Sequence, residues 1–440
     1  MSESKAKASA GSSRRQFLKG VAAAGAAVAF NRYLPGGAAL AQGQTSLALW
    51  HGWAGADNTT ALNAVLTGFN SSNKDGIKIQ PTAFQWDDLF SKWVVSAASG
   101  RSPDVVIIHV SEIPEFAKKG LLLPIGDQIK QSSIDTSKMP PTVVKAADYN
   151  GQTYAVPGDI HPLGLYYNVD MVKAAGLNPD APPKTQAEFL NWAQKLTKTS
   201  GGKTTQYGID LPVNGAIPRW IWYSLLYQFG GTFLDASGKS AVNSPASVQA
   251  MQFLVDLNNK YKVSTKSNGN LSGNDPFASR LAAMRIIGPW EVNQRMSQKI
   301  NFRTAPLPTI GQTPAAWGNA HCLSVPKQRS GDHTAQAMKF IKWFAQNYAK
   351  PAITVGIIPV DPVAQKSKEF TTSKQYPYYR AFVDTLPHVV FEPSLPQYTQ
   401  IFSFAKPTPL STNLEAALSG SKSVKQALDD MKAGIDAQLV

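Results

Sequence analysis

The chain has 440 residues, 43% of them hydrophobic and 10% aromatic, which is the composition of a packed globular protein with about two lobes. Its single cysteine excludes an internal disulfide bond, and its 43 basic residues are scattered, which argues against a nucleic-acid partner. The formal net charge of +14 falls to +9 when the first 41 residues, which hold six basic residues and one acidic residue, are set aside.

The first 41 residues have the parts of an export signal. Residues 13–19, SRRQFLK, place two arginines ahead of an alanine- and glycine-rich run that is too short to cross a bilayer. Residues 39–41 form a small-x-small cleavage pattern. This segment resembles the signal read by the twin-arginine export machinery, with a basic amphipathic helix as the alternative. We predict a periplasmic protein whose mature chain begins at Gln42.

Strands and helices alternate after the signal. Residues 45–51, 77–83 and 104–108 are predicted strands, and residues 59–73 and 87–98 are predicted helices, from their hydrophobic periodicity. This alternation is typical of an α/β layer with parallel strands.

The middle of the chain begins with two predicted strands in residues 150–168, broken at Pro157-Gly158. Later predicted helices cover residues 189–198, 219–229, 245–261, 335–346 and 423–439. Because Trp220 and Trp222 are two residues apart on one helix, we expect only one of them to face inward. No linker separates two domains, which indicates lobes joined by several crossings.

Common catalytic motifs are missing from the sequence. It contains no HExxH, CxxC, GxSxG or GxGxxG motif, and its six histidines show no metal-ligand spacing. We therefore predict no catalytic residue, no metal site and no cofactor. These observations leave open a hydrolase that uses two distant carboxylates.

Eight stretches resemble, in the same order, the family 1 extracellular solute-binding proteins of ABC importers, which are maltose-binding-protein-like. They include LALWHGWAG, SPDVVII, QFGGTFLD and AAMRIIGPWEV, and the most characteristic block is residues 150–197. Residues 315–325 depart from the family by lacking its usual glycine pair. The resemblance implies an α/β, two-lobed periplasmic binding protein fold (type II) that closes on its ligand by a hinge motion.

The resemblance also implies how the chain divides into lobes. Residues 42–156 and 301–350 would form the N-terminal lobe, and residues 157–300 and 351–440 the C-terminal lobe. Crossings between the lobes are expected near residues 157, 300 and 358. The ligand would lie in the cleft between the lobes.

Sugars offer apolar ring faces to aromatic side chains and hydroxyl groups to polar ones. Such side chains follow the predicted strands, where ligands bind in open α/β sheets, and they also occur at the crossings. The predicted ligand-binding residues are His51, Trp53, Gln85, Trp86, His109, Asp159, His161, Trp290, Trp317 and Asn319. We expect the carboxylate of Asp159 to meet ligand hydroxyls or a cationic neighbour, and we expect Trp192 and Trp343 to be core residues.

We therefore predict a monomeric substrate-binding component of an ABC importer. It would capture a carbohydrate by hinge closure and deliver it to the membrane permease. A phosphorylated or anionic polyol, such as a glycerophosphate compound, is the alternative ligand, suggested by the positive charge of the mature chain. A secreted polysaccharide-active hydrolase is the alternative of another class, and a surface adhesion module is disfavoured because no repeat is visible.

Overall fold

The computed structural model describes residues 44–439 except residues 55, 268–274, 328–331, 348 and 404–406. The export signal and the predicted cleavage site lie outside these residues. Two five-stranded sheets and one four-stranded sheet organise the described chain. A separate two-stranded pair is formed by Asp148–Tyr149 and Gln152–Thr153.

The first sheet is buried on both faces. In spatial order its strands are Ile77–Ala83, Thr45–His51, Val105–His109, His321–Ser324 and Ala155–Pro157. The first three strands are parallel, and the last two run antiparallel to their neighbours. In the central strand, Val105 and Ile107 face one hydrophobic cluster while Val106 and Ile108 face another. This alternation shows that apolar layers cover both faces.

The second sheet carries the largest hydrophobic core. In spatial order its strands are Phe302–Pro306, Gly164–Asn168, Ala282–Ile287, Lys203–Asp210 and Lys198–Ser200. The first of these strands runs antiparallel to the second, and Phe302 and Ala305 are buried in the core of this sheet. Residues 301–350 were expected in the N-terminal lobe, whereas the strand pairing puts residues 302–306 with the C-terminal segments.

A short sheet, here called the bridging sheet, lies between the two larger ones. Its strands are Ile358–Pro359, Asp159–Pro162, Ala316–Asn319 and Val389–Val390. The second and third strands pair with each other, with Asn319 opposite His161. Each of these two strands is preceded and followed in sequence by strands of different large sheets. The chain therefore passes between the sheets near residues 158–163 and 315–320, rather than near residue 300.

Helices cover the faces of the large sheets. Those of eight or more residues in the described chain are Ala56–Ser72, Trp86–Ala98, Gln186–Leu196, Ala216–Gln228, Pro245–Asn259, Thr334–Gln346, Tyr376–Thr385, Pro409–Ser419 and Val424–Asp436. The shorter α-helices are Ile113–Lys118, Gly126–Gln131, Pro141–Ala146, Val169–Ala174, Val292–Ser297, Ala349–Val355, Pro362–Gln365, Lys368–Thr371 and Tyr398–Phe402. Single 3₁₀ turns are Val110–Glu112, Pro289–Glu291 and Leu386–His388. None of the helices in the described ranges is both long enough and apolar enough to span a bilayer.

Helix Ala216–Gln228 is buried on nearly all of its faces. Both Trp220 and Trp222 are buried, so the expectation that only one of them faces inward was wrong. The reason is that other elements cover several sides of this helix, namely Pro245–Asn259, Pro409–Ser419 and the bridging strand Ala316–Asn319.

Other core expectations are confirmed. Trp192 is buried in the core of the second sheet, and Cys322 is a buried residue without a disulfide partner. Trp343 is partly buried against the core of the first sheet.

Candidate functional site

Polar side chains converge at one edge of the first sheet. Its first and third strands in sequence are parallel, so His51 and His109, which end these strands, lie at the same edge. The antiparallel strand that follows begins at His321, directly opposite His109. The chain leaves the sheet at Pro157 and continues into Asp159 of the bridging sheet. The topology thus brings distant segments to one place.

Three buried imidazoles form what we call the histidine cluster, namely His109, His161 and His321. Their side chains are in contact, with ring centroids 4.4 Å apart for His161 and His321 and 4.8 Å apart for His109 and His321. One ring nitrogen from each lies within 4.8 Å of the others. No local ligand spacing marks this set, because its members come from strands far apart in sequence.

Two buried carboxylates hold the histidine cluster. Asp159 is 2.7 Å from Nδ1 of His161 through Oδ1 and 2.8 Å from Nδ1 of His321 through Oδ2. Its Oδ1 also accepts a hydrogen bond of 3.1 Å from the backbone N–H of His321. Glu112 lies 3.2 Å from Nδ1 of His109 and accepts the backbone N–H of that residue at 3.0 Å. Each Nδ1 atom of the cluster therefore faces a carboxylate oxygen.

Burial sets the protonation of these groups. It lowers the pKa of His321 to about 3 and lowers the pKa of His161, in both cases outweighing the opposing effect of Asp159. Both rings are neutral at pH 7, so each Nδ1–H donates to Asp159 and each Nε2 carries a lone pair. Burial also raises the pKa of Glu112, against the lowering effect of His109.

Two indole rings that follow strands of the first sheet cover the histidine cluster. Trp86 stacks on His321 at 5.2 Å with an interplanar angle of 16°, and its ring lies 4.3 Å from that of His109. Trp53 donates its indole N–H to Nε2 of His321 at 3.4 Å. Trp53 is buried, whereas Trp86 is partly exposed.

Three further indole rings lie on the other side of His161. The ring of Trp290 is 5.7 Å from the imidazole of His161, and that of Trp317 is 6.3 Å from it. Trp220 stacks on Trp317 at 4.4 Å and meets Trp290 edge-on at 5.6 Å. Aromatic rings therefore flank the bridging sheet on the sides of both large sheets.

Contacts with neighbouring residues fix the turn that carries Trp290. An added Cβ on Gly288 would lie 1.9 Å from the Trp290 ring, so only glycine fits under that ring. The hydroxyl of Tyr166 donates to the carbonyl of Gly288 at 2.8 Å. Glu291, which follows Trp290 in the chain, accepts a hydrogen bond of 3.2 Å from the buried Arg285. These contacts hold the indole in one position.

Similarity to known proteins assigns the chain to a family. The family model of the bacterial extracellular solute-binding proteins matches residues 64–378. The chain belongs to this family. A model of the twin-arginine translocation signal matches residues 11–30, so this solute-binding protein is exported, as its sequence predicts. The family consists of binding proteins, which sets aside the hydrolase alternative.

Relatives of this solute-binding protein are similar over most of its length. The maltotriose-binding protein of Pyrococcus abyssi (strain GE5 / Orsay) is 26% identical over 323 residues, which are 71% of this chain and 66%, just under two thirds, of that protein. The sn-glycerol-3-phosphate-binding periplasmic protein UgpB of Escherichia coli (strain K12) is 24% identical over 413 residues, 88% of this chain and 91% of that protein.

A solved structure confirms the predicted fold class. The ABC transporter solute-binding protein of Thermotoga lettingae TMO, solved with α-D-tagatose, matches with a TM-score of 0.77 and 25% identity. The match covers 90% of this chain and 100% of that one. This solute-binding protein therefore has the two-lobed α/β fold that its sequence predicts.

Three predicted site residues lie outside the histidine cluster. His51 is fully buried, neither ring nitrogen has a hydrogen-bond partner among the described residues, and burial lowers its pKa to about 4. Asn319 donates its amide to the hydroxyl of Ser111 at 2.8 Å. Gln85 is exposed at the start of helix Trp86–Ala98 and does not cap it through its side chain. The other seven predicted residues come together as described above.

Some residues of the site were missed. His321 was detectable, because Trp317, Asn319 and His321 occupy alternate positions and alternate residues of an extended segment share a face. Glu112 gives no comparable signal, since it reaches His109 through a 3₁₀ turn that the sequence does not mark. Trp220 was considered only as a helix-packing residue.

Gly52 lies under the ring of Trp86, where an added Cβ would come within 2.1 Å of a ring carbon. We expect Gly52→Ala to push Trp86 off His321 and to lower the free energy of unfolding by about 1–3 kcal/mol through overpacking. Urea unfolding followed by tryptophan fluorescence measures both effects. The control is Gly68→Ala, whose added Cβ meets nothing within 4 Å in helix Ala56–Ser72. A Gly52→Ala variant as stable as the wild type would contradict the stacking of Trp86 on His321.

Proposed function

We propose that this solute-binding protein captures a carbohydrate in the cleft between its lobes and delivers it to the permease of an ABC importer. The observation that carries the proposal is the placement of indole rings on both sides of the bridging sheet. Trp53 and Trp86 follow strands of the first sheet, and Trp290 follows a strand of the second sheet. Rings on opposite sides suit a sugar, whose two faces both present C–H groups.

Polar groups near these rings support hydroxyl recognition. His51 is buried with two ring nitrogens that have no partner among the described residues, and a buried polar group without a partner is costly. The indole N–H of Trp317 is also buried and has no hydrogen-bond partner among the described residues. Ligand hydroxyls can donate to a ring nitrogen of His51 and accept from the indole N–H of Trp317. Asp159 is fully buried and both of its oxygens are engaged by His161 and His321, so it would act on the site through these two imidazoles rather than by touching the ligand.

We further propose that the bridging sheet is the hinge. One lobe is built on the first sheet from the described residues of 44–157 and 321–357, and the other on the second sheet from those of 164–306 and 360–439. Glu115 accepts hydrogen bonds from the backbone N–H and the hydroxyl of Thr399 at 2.7 and 2.8 Å. Since these residues belong to different proposed lobes, the contact supports a closed conformation. The protein would act as a monomer.

The relatives support a sugar as the ligand class. One is named for maltotriose, and a solved structure contains tagatose. We expect a sugar ligand present at 100 times its dissociation constant to raise the free energy of unfolding by about 2.7 kcal/mol. A thermal-shift screen of the mature chain with maltotriose, tagatose and other sugars measures this rise, and calorimetry measures the affinity. Solution scattering should show a smaller radius of gyration with ligand.

The matched control ligand is sn-glycerol 3-phosphate, for which UgpB is named. We expect no shift with it at concentrations at which the best sugar saturates. A shift with glycerol phosphate and with no sugar of the screen would contradict the carbohydrate proposal and favour the anionic polyol. A flat result with all ligands would contradict both.

A further inference from the structure

The histidine cluster has the donor set of a metal site. Neutral imidazole is the commonest metal ligand in proteins, and three histidines form one of the ligand sets that bind Zn²⁺. The three histidine side chains are at most 8% exposed, and one ring nitrogen of each lies within 4.8 Å of the others. A purely structural role does not require three imidazoles in mutual contact.

The groups behind the imidazoles are those that support a metal ligand. A metal-binding histidine usually donates its other ring N–H to a carboxylate or carbonyl, which fixes the ring and its tautomer. Here Nδ1 of His161 and Nδ1 of His321 face Asp159 at 2.7 and 2.8 Å, and Nδ1 of His109 faces Glu112 at 3.2 Å. In this arrangement Nε2 is the atom that would bind the ion.

The charges of the neighbouring carboxylates also favour a bound cation. Asp159 and Glu112 place two buried carboxylates against the three rings. A divalent cation among the imidazoles would carry the charge that balances both carboxylates, and bound cations are often the largest local charges in such sites.

We propose that His109, His161 and His321 bind a divalent transition-metal ion, for which Zn²⁺ is the natural probe, with Asp159 and Glu112 as positioning residues. Tetrahedral zinc with bonds of about 2.0–2.1 Å needs nitrogens about 3.3 Å apart, so the rings would have to move closer together to bind the ion. The ion would replace the long 3.4 Å hydrogen bond from Trp53 to Nε2 of His321. Three protein ligands leave a fourth position for water or another oxygen ligand.

The test is calorimetric titration of chelator-treated, sugar-free mature protein with Zn²⁺. We expect one equivalent to bind. His321→Gln should weaken binding about 100-fold or more, and Asp159→Asn should weaken it about 10- to 100-fold, as expected for the loss of an outer partner. The control is His388→Gln, since His388 is exposed and outside the cluster, and it should bind like the wild type. Equal zinc affinity in all variants, or no binding by the wild type, would overturn the proposal.

A second measurement avoids the folding of the variants. X-ray absorption of the wild-type protein with one equivalent of Zn²⁺ should show three imidazole ligands, and Co²⁺ in its place should give the visible absorption of a tetrahedral site. A spectrum with only oxygen ligands, as an adventitious surface ion would give, would overturn the proposal. Because the titration contains metal alone, its result is independent of whether the cleft binds a sugar.

Discussion

Asp159→Ala is expected to lower the free energy of unfolding of the ligand-free protein by about 3–5 kcal/mol, because it leaves buried donors unsatisfied at a cost of about 1–3 kcal/mol each. The carboxylate is fully buried and contacts the side chains of His161 and His321 as well as a backbone N–H. Its removal leaves buried donors without an acceptor. Urea denaturation in chelator-containing buffer, followed by circular dichroism, measures the change.

The matched control for this substitution is Asp180→Ala. Asp180 forms an ion pair with Arg303, but both side chains are largely exposed, so we expect a change of at most about 1 kcal/mol. If Asp159→Ala were as stable as the wild type without ligand or metal, Asp159 would not be held by the two imidazoles. On the sequence alone this carboxylate was expected to meet ligand hydroxyls or a cationic neighbour, and the structure adds the two histidines.

Trp290→Ala and Trp192→Ala are expected to have opposite effects. Trp290 is partly exposed beside His161, so its loss should weaken sugar binding by about 1.5–3 kcal/mol, roughly 10- to 150-fold. Trp192 is a core residue of the second sheet, so its loss should leave a cavity and lower the free energy of unfolding by about 3–5 kcal/mol. Calorimetry with the best sugar of the screen and urea unfolding measure the two quantities.

The two tryptophan variants also control for each other. The folded fraction of Trp192→Ala should bind with wild-type affinity, because this ring packs in the core of the second sheet against Tyr167. Loss of binding in Trp192→Ala together with normal binding in Trp290→Ala would show that the ligand lies elsewhere.

The fold was predictable because its signals are local. The periodicity of residues 45–51, 77–83 and 104–108 identifies strands, and parallel pairing then puts the residues after them at one edge. This is why His51 and His109 could be placed at the same edge of the first sheet without coordinates. Asp159 and His161 could be predicted to lie at a crossing because they follow the break at Pro157-Gly158 between two strands.

What could not be predicted depends on strand pairing across long stretches of sequence. Nothing near His321 indicates that it lies opposite His109, so the histidine cluster has no local signature. The short strand Phe302–Pro306 buries only Phe302 and Ala305, so its sequence does not favour one large sheet over the other, and only its pairing with Gly164–Asn168 assigns it to the second. Burial of helix Ala216–Gln228 on most sides likewise depends on elements that follow it in the chain.

The position of His321–Ser324 in the first sheet has a consequence for biosynthesis. This strand separates Val105–His109 from Ala155–Pro157, so the sheet cannot be completed until residue 324 has left the ribosome. Folding of the first sheet is therefore delayed until late in translation, and the high sequence separation of its contacts makes it slow. An export route that accepts chains after they have folded gives such a nascent protein time to close its sheet in the cytoplasm before translocation.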